Sequence, residues 1–290
     1  LVRSRGLGDV YKRQQYKWKS FPVWIFLVIM CLLSLFPVYI MITGSFKSAS
    51  DLAVNSYGLP QKWTLENYRR LLSYNSGIIA RTYMNSIVIT ASHTILVMLF
   101  GSMAAFAFSK YHFKGKTVLF TLLLATMMVP FELSVTPLYI MFSKIGWLNS
   151  YKIQIIPFTA NVFAMFMIRQ FMEGIPDSLV EAARIDGAGH FKIYYKIMVP
   201  ICKPVMGSTT VLVALAKFND YLWPKVVVQK QMYQPIMTVL PTLNEKNVVW
   251  NIPRELILTG CTIVIVPLII LFVCLQDLFM DSVAIGAVKE

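Results

Sequence analysis

The stretch EAARIDGAGH, Glu181–His190, places two acids, an arginine and two glycines between long apolar runs. Glu181, Arg184 and Asp186 offer directional charge. Ala182 and Ala183 have almost no side chain, so the surface of another protein can approach the backbone closely. These residue types favour a docking surface that fits a groove and transmits force. They also suit an amphipathic helix that rests, solvated, on a membrane, and the residues alone leave both interpretations open.

The flanking residues predict that this stretch is helical and sharply bounded. Pro176 suits a first helical turn, Asp177 suits the positive end of the helix dipole, and Gly187 accepts the left-handed geometry of a C-cap. A second amphipathic segment follows, which Pro200 ends, with its large apolar residues at helical spacing: Phe191, Tyr194, Tyr195 and Met198. We therefore predict a helix–turn–helix over about residues 172–203.

Two charged residues lie well inside apolar segments, Glu132 and Lys217. A charge at membrane depth is costly, which makes it a functional candidate. The alternative is that the side chain reaches the membrane interface, as long side chains near helix ends do. The histidines His93, His112 and His190 are scattered, and no catalytic motif accompanies them. An intramembrane enzyme therefore has no support from the sequence.

The composition is that of a protein that crosses a membrane several times. The 290 residues are 57% hydrophobic and only 14% charged, with a mean hydropathy of +0.61; a soluble domain would be roughly 25% charged. The net charge of +13 is spread along the chain without a basic tract, so nucleic acid is not an expected partner. The four cysteines form no CxxC or Cys/His cluster, so we expect no metal site and no disulfide framework.

Six segments meet or approach the ~20 apolar residues that a spanning helix needs. They are about Phe21–Gly44, Ser86–Phe108, Thr117–Phe142, Ile153–Phe171, Pro204–Trp223 and Leu256–Leu278. An even number of spans places both termini on one side of the membrane. The short connection Ser109–Lys116 carries three lysines, which favours the cytoplasm for that side. Glu181–His190 then faces the cytoplasm.

The first fourteen residues, LVRSRGLGDVYKRQ, differ from the rest. The part DVYKRQ can be encoded by a DNA sequence that resembles the end of a transposon adapter used in library preparation. We expect residues 1–14 to be a translated adapter, and the alternative is a natural basic tail. Residues 15–20 are predicted to be a cytoplasmic tail, and residues 21–290 a single transmembrane domain.

The docking stretch resembles the EAA loop of ABC-transporter permeases. That pattern is EAA, three residues, Gly, nine residues, then I-x-L-P. Here Glu181–Ala183 is followed by Gly187 and then by Ile197–Pro200, with Val199 in place of leucine. The resemblance to binding-protein-dependent sugar permeases of the maltose-permease type extends from about residue 20 to the end. The further matches are LENY at 65–68, GSMAAFA at 101–107, MVP at 128–130, PLY at 137–139, RQF at 169–171, GIP at 174–176 and NDYLWP at 219–224.

The resemblance implies an all-α integral membrane protein with the type I ABC importer permease fold, six transmembrane helices and a cytoplasmic coupling helix. It implies a bacterial or archaeal cytoplasmic (inner) membrane. The implied partners, besides membrane lipid, are a second homologous permease in a heterodimer, two ATPase subunits, an extracytoplasmic solute-binding protein and a sugar. The chain has no GxxxxGK[ST] loop, so it should bind no cofactor itself and leave ATP to the ATPase.

Roles of individual residues also follow from the resemblance. The implied ATPase-coupling residues are Glu181, Ala182, Ala183, Arg184, Asp186, Gly187 and Pro200. The weaker candidates for the sugar path are Glu132, Asn161, Asn219, Asp220, Tyr221 and Trp223. Polar groups there would bind sugar hydroxyls, and Tyr221 or Trp223 would stack on a sugar ring. For Asn161 the competing role is a hydrogen bond between helices.

Two other transport classes stay open at this stage. An ATP-independent secondary transporter or channel would use Glu132 or Lys217 as an ion site. A permease of the same superfamily that carries another solute is the second alternative.

Overall fold

The computed structural model describes residues 21–241 and 253–287, and it contains only helices and their connections over those ranges. The predicted adapter residues 1–14 and tail 15–20 lie outside the described residues. In chain order the helices are α1 Phe21–Ser45, α2 Ala49–Val54, α3 Glu66–Ser73, α4 Ile78–Lys110, α5 Lys116–Thr126, α6 Phe131–Lys144, α7 Lys152–Ile155, α8 Val162–Glu173, α9 Ser178–Ile185, α10 His190–Ile193, α11 Val199–Ile201, α12 Lys203–Phe218, α13 Leu222–Val227, α14 Ile236–Val239 and α15 Arg254–Ala287.

Three helices of the described chain are long and apolar enough to cross a membrane, within α1, α4 and α15. Two further spans result if each of two bent pairs counts as one, α5 with α6 and the segment α10–α11 with α12–α13. On length and composition the described chain therefore has three to five candidate spans, where the sequence predicted six continuous segments.

The difference lies at breaks within the third and fourth predicted spans and at a bend just before the fifth. The third predicted span bends by 94° between α5 and α6, where Pro130 stands. The fourth is divided into the short α7 and the twelve-residue α8, with Pro157 and Asn161 in the gap. The fifth lies beyond a bend of 80° that separates Ile201 from Lys203. Proline lacks the N–H that would continue a helix, so it favours a break where other groups satisfy the backbone.

Helix α4 lies at the centre of the bundle and packs against α8 and α12, while α15 packs against α12 and α1. Val97, Ala164 and Val213 form a buried contact where α4, α8 and α12 meet. Gly101 allows a close approach here, since a β-carbon on it would lie 3.5 Å from that of Ala164. Small residues are the common means by which membrane helices pack closely.

The outer faces of the bundle are apolar and exposed. Leu32 on α1 is 63% exposed and Leu122 on α5 is 61% exposed, and many other large apolar side chains are similarly open. Soluble proteins rarely expose so large an apolar surface to water. These faces therefore fit contact with lipid or with another membrane helix.

Short helices gather at the two ends of the bundle. The coupling end comprises the segment from α9 to α11 and the end of α4. The opposite end comprises α2, α3, α7, α13, α14 and the start of α4. At the opposite end the amide of Asn85 donates to the carbonyl oxygens of Met232 and Gln234, at 3.0 and 2.9 Å. Tyr151 donates to Asn85 Oδ1 at 2.8 Å, so one buried asparagine fixes three connections.

Candidate functional site

Helix α9 is the predicted docking helix, and its end has the predicted geometry. Gly187 has a φ of 76°, in the left-handed region. Its N–H donates to the carbonyl of Arg184 at 3.0 Å, and the N–H of Ala188 donates to that of Ala183 at 2.9 Å. This pair of bonds is a Schellman motif, which satisfies the last carbonyls of the helix and fixes the direction of the chain.

One face of α9 is buried in the bundle and the other is exposed. Val180 and Ala183 are 3% and 7% exposed and join the core that contains Met172, Ile193 and Met198. The exposed face carries Glu181, Ala182, Arg184, Ile185 and Asp186. The structure thus corrects the prediction for Ala183. Its small side chain allows close packing within the chain, and Ala182 alone offers that property to the outside.

A buried lysine attaches α9 to the end of α4. Lys110 is the last residue of α4, and its side chain is 3% exposed. Its ammonium donates to Asp177 Oδ1 at 2.7 Å and to the carbonyl of Ile175. Asp177 therefore lies at the start of α9 as predicted, but its carboxylate pairs with Lys110 and makes no cap bond to the helix. The Lys110 ammonium lowers the pKa of the Asp177 carboxyl.

The segment after the turn is attached to α4 as well. Tyr194 is buried, and its hydroxyl lies 2.7 Å from Ser102 Oγ on α4. The Tyr111 hydroxyl lies 2.6 Å from His190 Nδ1, and the Arg184 guanidinium lies 5.4 Å from the centre of the Tyr111 ring. The sequence analysis did not predict these contacts of Ser102, Lys110 and Tyr111, because their partners lie far along the chain.

Pro200 lies one residue before the end of the second segment, close to the predicted end. It lies inside the helical run His190–Ile201, whose bend toward α12 comes after Ile201. A π-helical turn, Tyr194–Met198, immediately precedes it, and the N–H of Val199 bonds to the carbonyl of Tyr194. In a π-turn the N–H bonds to the carbonyl five residues earlier instead of four, so the carbonyls just before the proline have different partners than in an α-helix. Turns of this kind are frequent at functional sites. Phe191 and Tyr195 are 68% and 63% exposed, so only part of the predicted apolar face is buried.

A cavity of about 320 Å³ with a mostly apolar lining lies among α4, α6, α8 and α12. Its polar groups are His93, Asn161, Lys217 and Asp220, and the rings of Phe131, Phe158 and Phe163 form part of its wall. Lys217 Nζ donates to Asp220 Oδ2 at 2.9 Å, so the deep lysine is paired. His93 Nδ1 lies 2.8 Å from the carbonyl of Ile155. A carbonyl only accepts, so Nδ1 carries the proton and Nε2 is left as an acceptor.

The six predicted sugar-path residues are not all at this cavity. Asn161 and Asp220 line it, whereas Glu132, Asn219 and Tyr221 are exposed outside its lining. Glu132 lies in the first turn of α6, next to the break at Pro130, and not deep within a continuous span. Asn161 Oδ1 accepts from the N–H of Ala164 at 2.8 Å, so it caps α8 and makes no bond between helices through that oxygen.

Trp223 is buried behind the Phe131 and Phe158 wall of the cavity and cannot stack on a sugar in this conformation. It is 1% exposed, and its indole N–H donates to the carbonyl of Ile153 at 3.0 Å. Its ring packs edge-on against Phe131, Phe142 and Phe158. Its role is to hold α13 against α6 and α7. The sequence analysis missed His93 as a cavity residue, although a histidine inside an apolar span is a signal that could have identified it.

A helical membrane bundle with a cavity that contains a few polar groups and a capped surface helix at one end is consistent with a membrane transport subunit. The model of the family "binding-protein-dependent transport system inner membrane component" matches residues 97–284. The chain belongs to this family and is a multi-pass membrane protein.

Similar proteins agree with this assignment. The arabinooligosaccharides transport system permease protein AraQ of Bacillus subtilis is 32% identical, over 91% of this chain and 94% of its own length. The diacetylchitobiose uptake system permease protein NgcG of Streptomyces coelicolor is 26% identical, over 91% and 87%. Among solved structures, a chain of a bacterial ABC transporter that imports the acidic polysaccharide alginate matches with a TM-score of 0.80 at 24% identity. That match covers 90% of this chain and 96% of the other, and it confirms the type I ABC importer permease fold.

Proposed function

We propose that this chain forms half of the translocation pathway of an ATP-driven importer for a saccharide. A solute-binding protein delivers the saccharide outside, and a separate ATPase drives transport from the cytoplasm. The observation that carries the proposal is α9, a capped surface helix whose start is fixed to the central helix α4 by the Lys110–Asp177 bond, while the segment after its turn is fixed to α4 by the Tyr194–Ser102 bond. Family membership and the named functions of the relatives AraQ and NgcG support it.

In this proposal α9 docks in a cleft of the ATPase through its exposed face. Glu181, Arg184 and Asp186 pair with charged groups of the cleft, Ala182 permits close approach, and Ile185, which is 88% exposed, is buried on docking. When ATP binding closes the ATPase pair, α9 moves with it. The Lys110–Asp177 bond passes that motion to α4, which carries His93 in the cavity. Rigid helices that rock between two arrangements give alternating access to the pathway.

The residues that line the cavity containing His93 support a saccharide as the transported substrate. The acceptor on His93 and the amide of Asn161 can bind hydroxyl groups, and the Lys217–Asp220 pair contributes both a donor and an acceptor while adding no net charge. The phenylalanine rings can contact the apolar face of a sugar ring. Sites of this kind combine a mostly apolar wall with a few polar groups that orient the ligand.

We further infer the assembly and its orientation. The chain pairs with a second, homologous permease, and two ATPase subunits bind beneath the pair and hold all the ATP, so this chain needs no nucleotide site of its own. The coupling end, with Ser109–Lys116, faces the cytoplasm, and both termini lie on that side. The opposite end faces the solute-binding protein.

The test is uptake by the assembled transporter. The chain would be reconstituted with its partner permease, ATPase and binding protein in vesicles, with ATP trapped inside and radiolabelled arabinotriose, raffinose or diacetylchitobiose outside. We expect uptake of at least one of these sugars that depends on ATP and is lost when Glu181 and Gly187 are replaced together. Uptake that continues with ADP in place of ATP would show an ATP-independent transporter. ATP-driven uptake of another solute with none of the sugars would overturn the substrate class.

A further inference from the structure

The helical run His190–Ile201, which we call the His190 segment, lies across the coupling end of the bundle. It is bent by 80° relative to the run Lys203–Val227, whose first helix, α12, packs against the spanning helix α4. The inner face of the segment is buried, because Ile193, Tyr194 and Met198 belong to the core that α4 and α8 share. A helical segment almost perpendicular to the spans lies close to the plane of the membrane.

The contact of Tyr194 with α4 places the segment near the boundary of the hydrocarbon core. Helix α4 has 33 residues, so it is ~50 Å long and extends beyond a core of ~30 Å by about 10 Å at each end. The hydroxyl of Tyr194 lies 2.7 Å from Ser102 Oγ. Ser102 lies eight residues, or about 12 Å, before Lys110, the last residue of α4. The segment therefore lies at the level where lipid headgroups meet acyl chains.

The outer face of the segment carries two aromatic rings beside two lysines. Phe191 and Tyr195 are 68% and 63% exposed and are four residues apart, so they lie on one stripe of the helix. Lys192 and Lys196, also exposed and four residues apart, form the neighbouring stripe. Neither lysine has an ion pair or a hydrogen bond with the described residues, and the sequence from Gly187 to Asn219 contains no acid. Lysines beside aromatic rings are typical of helices that lie in a membrane interface.

An apolar groove of about 380 Å³ lies between the segment and α4. We call it the Met103 groove, and its lining comprises Met103, Phe106, Tyr111, His190, Phe191 and Tyr194. Met103 belongs to the spanning helix α4 and is 40% exposed, so the groove is continuous with the apolar outer surface of the bundle. A groove that extends from the surface segment to the level of the hydrocarbon fits an acyl chain better than it fits a water-soluble ligand.

We propose that the His190 segment binds anionic phospholipids of the cytoplasmic leaflet, with phosphate groups at Lys192 and Lys196 and an acyl chain in the Met103 groove. Lysines at the membrane surface attract anionic headgroups and discriminate against neutral ones. An acidic surface of the ATPase could also meet the lysines, but it would not explain a groove that reaches an exposed residue of a span. The choice of leaflet rests on the orientation proposed above, whereas the lipid contact does not depend on the transported substrate.

Lipid binding is measured on the assembled transporter, which is placed in nanodiscs of equal parts phosphatidylglycerol and phosphatidylcholine. Native mass spectrometry after release into mild detergent counts the retained lipids and the protein subunits together. Lys192→Gln with Lys196→Gln removes the charges, and Met103→Trp fills the groove without changing the charge. The matched control is Lys144→Gln with Lys152→Gln, two exposed lysines at the opposite end. We expect the retained ratio of phosphatidylglycerol to phosphatidylcholine to fall roughly tenfold in the first pair and to stay unchanged in the control, while Met103→Trp retains fewer lipids with the same ratio.

The outcomes separate the lipid site from the proposed function. An equal fall of the ratio in both lysine pairs would show an effect of net charge alone and overturn the site. Loss of ATPase subunits from the Lys192 and Lys196 variant, with the lipid ratio unchanged, would also overturn it and make this face a protein contact. An unchanged lipid count in Met103→Trp would overturn the role of the groove. A lipid ratio that depends on Lys192 and Lys196, in a transporter that takes up no sugar, would keep the site and overturn the proposed function.

Discussion

Residue 187 shows how a single backbone angle can control a coupling mechanism. With φ at 76° and open space around the position of a β-carbon, Gly187 is needed for its conformation and not for a lack of room. An L-residue in this region costs roughly 1–2 kcal/mol, and a β-branched one is especially unfavourable. The strain would act on the Schellman bonds that fix the end of α9.

We therefore expect Gly187→Val to lower the amount of sugar transported per ATP hydrolysed, while the chain still inserts and assembles. The ratio is measured in vesicles that contain the whole transporter. Gly146→Val is the matched control, since Gly146 also has a positive φ, 71°, and open space, but follows α6 away from α9. If the two variants lose the same fraction of coupling, backbone strain alone explains the effect and the turn has no special role.

At the scale of elements, the connection between α9 and α4 depends on the Lys110–Asp177 pair. Lys110→Met keeps the length of the side chain but removes the ammonium from Asp177 and from the carbonyl of Ile175. Because Asp177 is 68% exposed, the pair should stabilise the connection by on the order of 1 kcal/mol. We expect about a fivefold fall in sugar transported per ATP, with Lys114→Met, on the exposed loop after α4, unaffected.

The pH dependence of this connection has a definite sign. The ammonium of Lys110 lowers the pKa of Asp177 from its ordinary value of 3.8. The pair therefore contributes fully above that value, and its contribution is lost only as the pH falls through the lowered pKa. Coupling that required the pair but disappeared between about pH 8 and pH 5 would have to depend on another group.

Local signals in the sequence were enough for some elements and not for others. Pro176, Asp177 and Gly187 predicted the bounds of α9, because caps and turns depend on neighbouring residues. The burial of Ala183 and Trp223 depends on helices that are distant in the chain, so no local pattern could predict it. A proline in the sequence did not by itself predict whether a helix breaks, because that also depends on residues distant in the chain. Pro130 stands at a sharp bend, whereas Pro37 and Pro267 remain inside long helices, because neighbouring groups decide whether a freed carbonyl is satisfied.

At the scale of the whole molecule, the coupling end and the opposite end must face different compartments for the mechanism to work. Helix α4 runs from one end to the other, with Asn85 near Met232 at the opposite end and Lys110 beside α9 at the coupling end. The direction in which α4 crosses the membrane therefore determines which side the coupling end and the opposite end face. The three lysines of Ser109–Lys116 favour the cytoplasm for the coupling end.

This orientation predicts which single cysteines a membrane-impermeant maleimide can reach. In a chain whose four native cysteines are replaced by serine, Lys144→Cys at the end of α6 should react in intact cells or in spheroplasts. Lys114→Cys, between α4 and α5, should react only after the membrane is opened. Both lysines are exposed, so a difference in labelling reports the compartment and not burial. Labelling of Lys114→Cys alone in intact cells would invert the chain, place α9 outside the cell, and rule out its docking on a cytoplasmic ATPase.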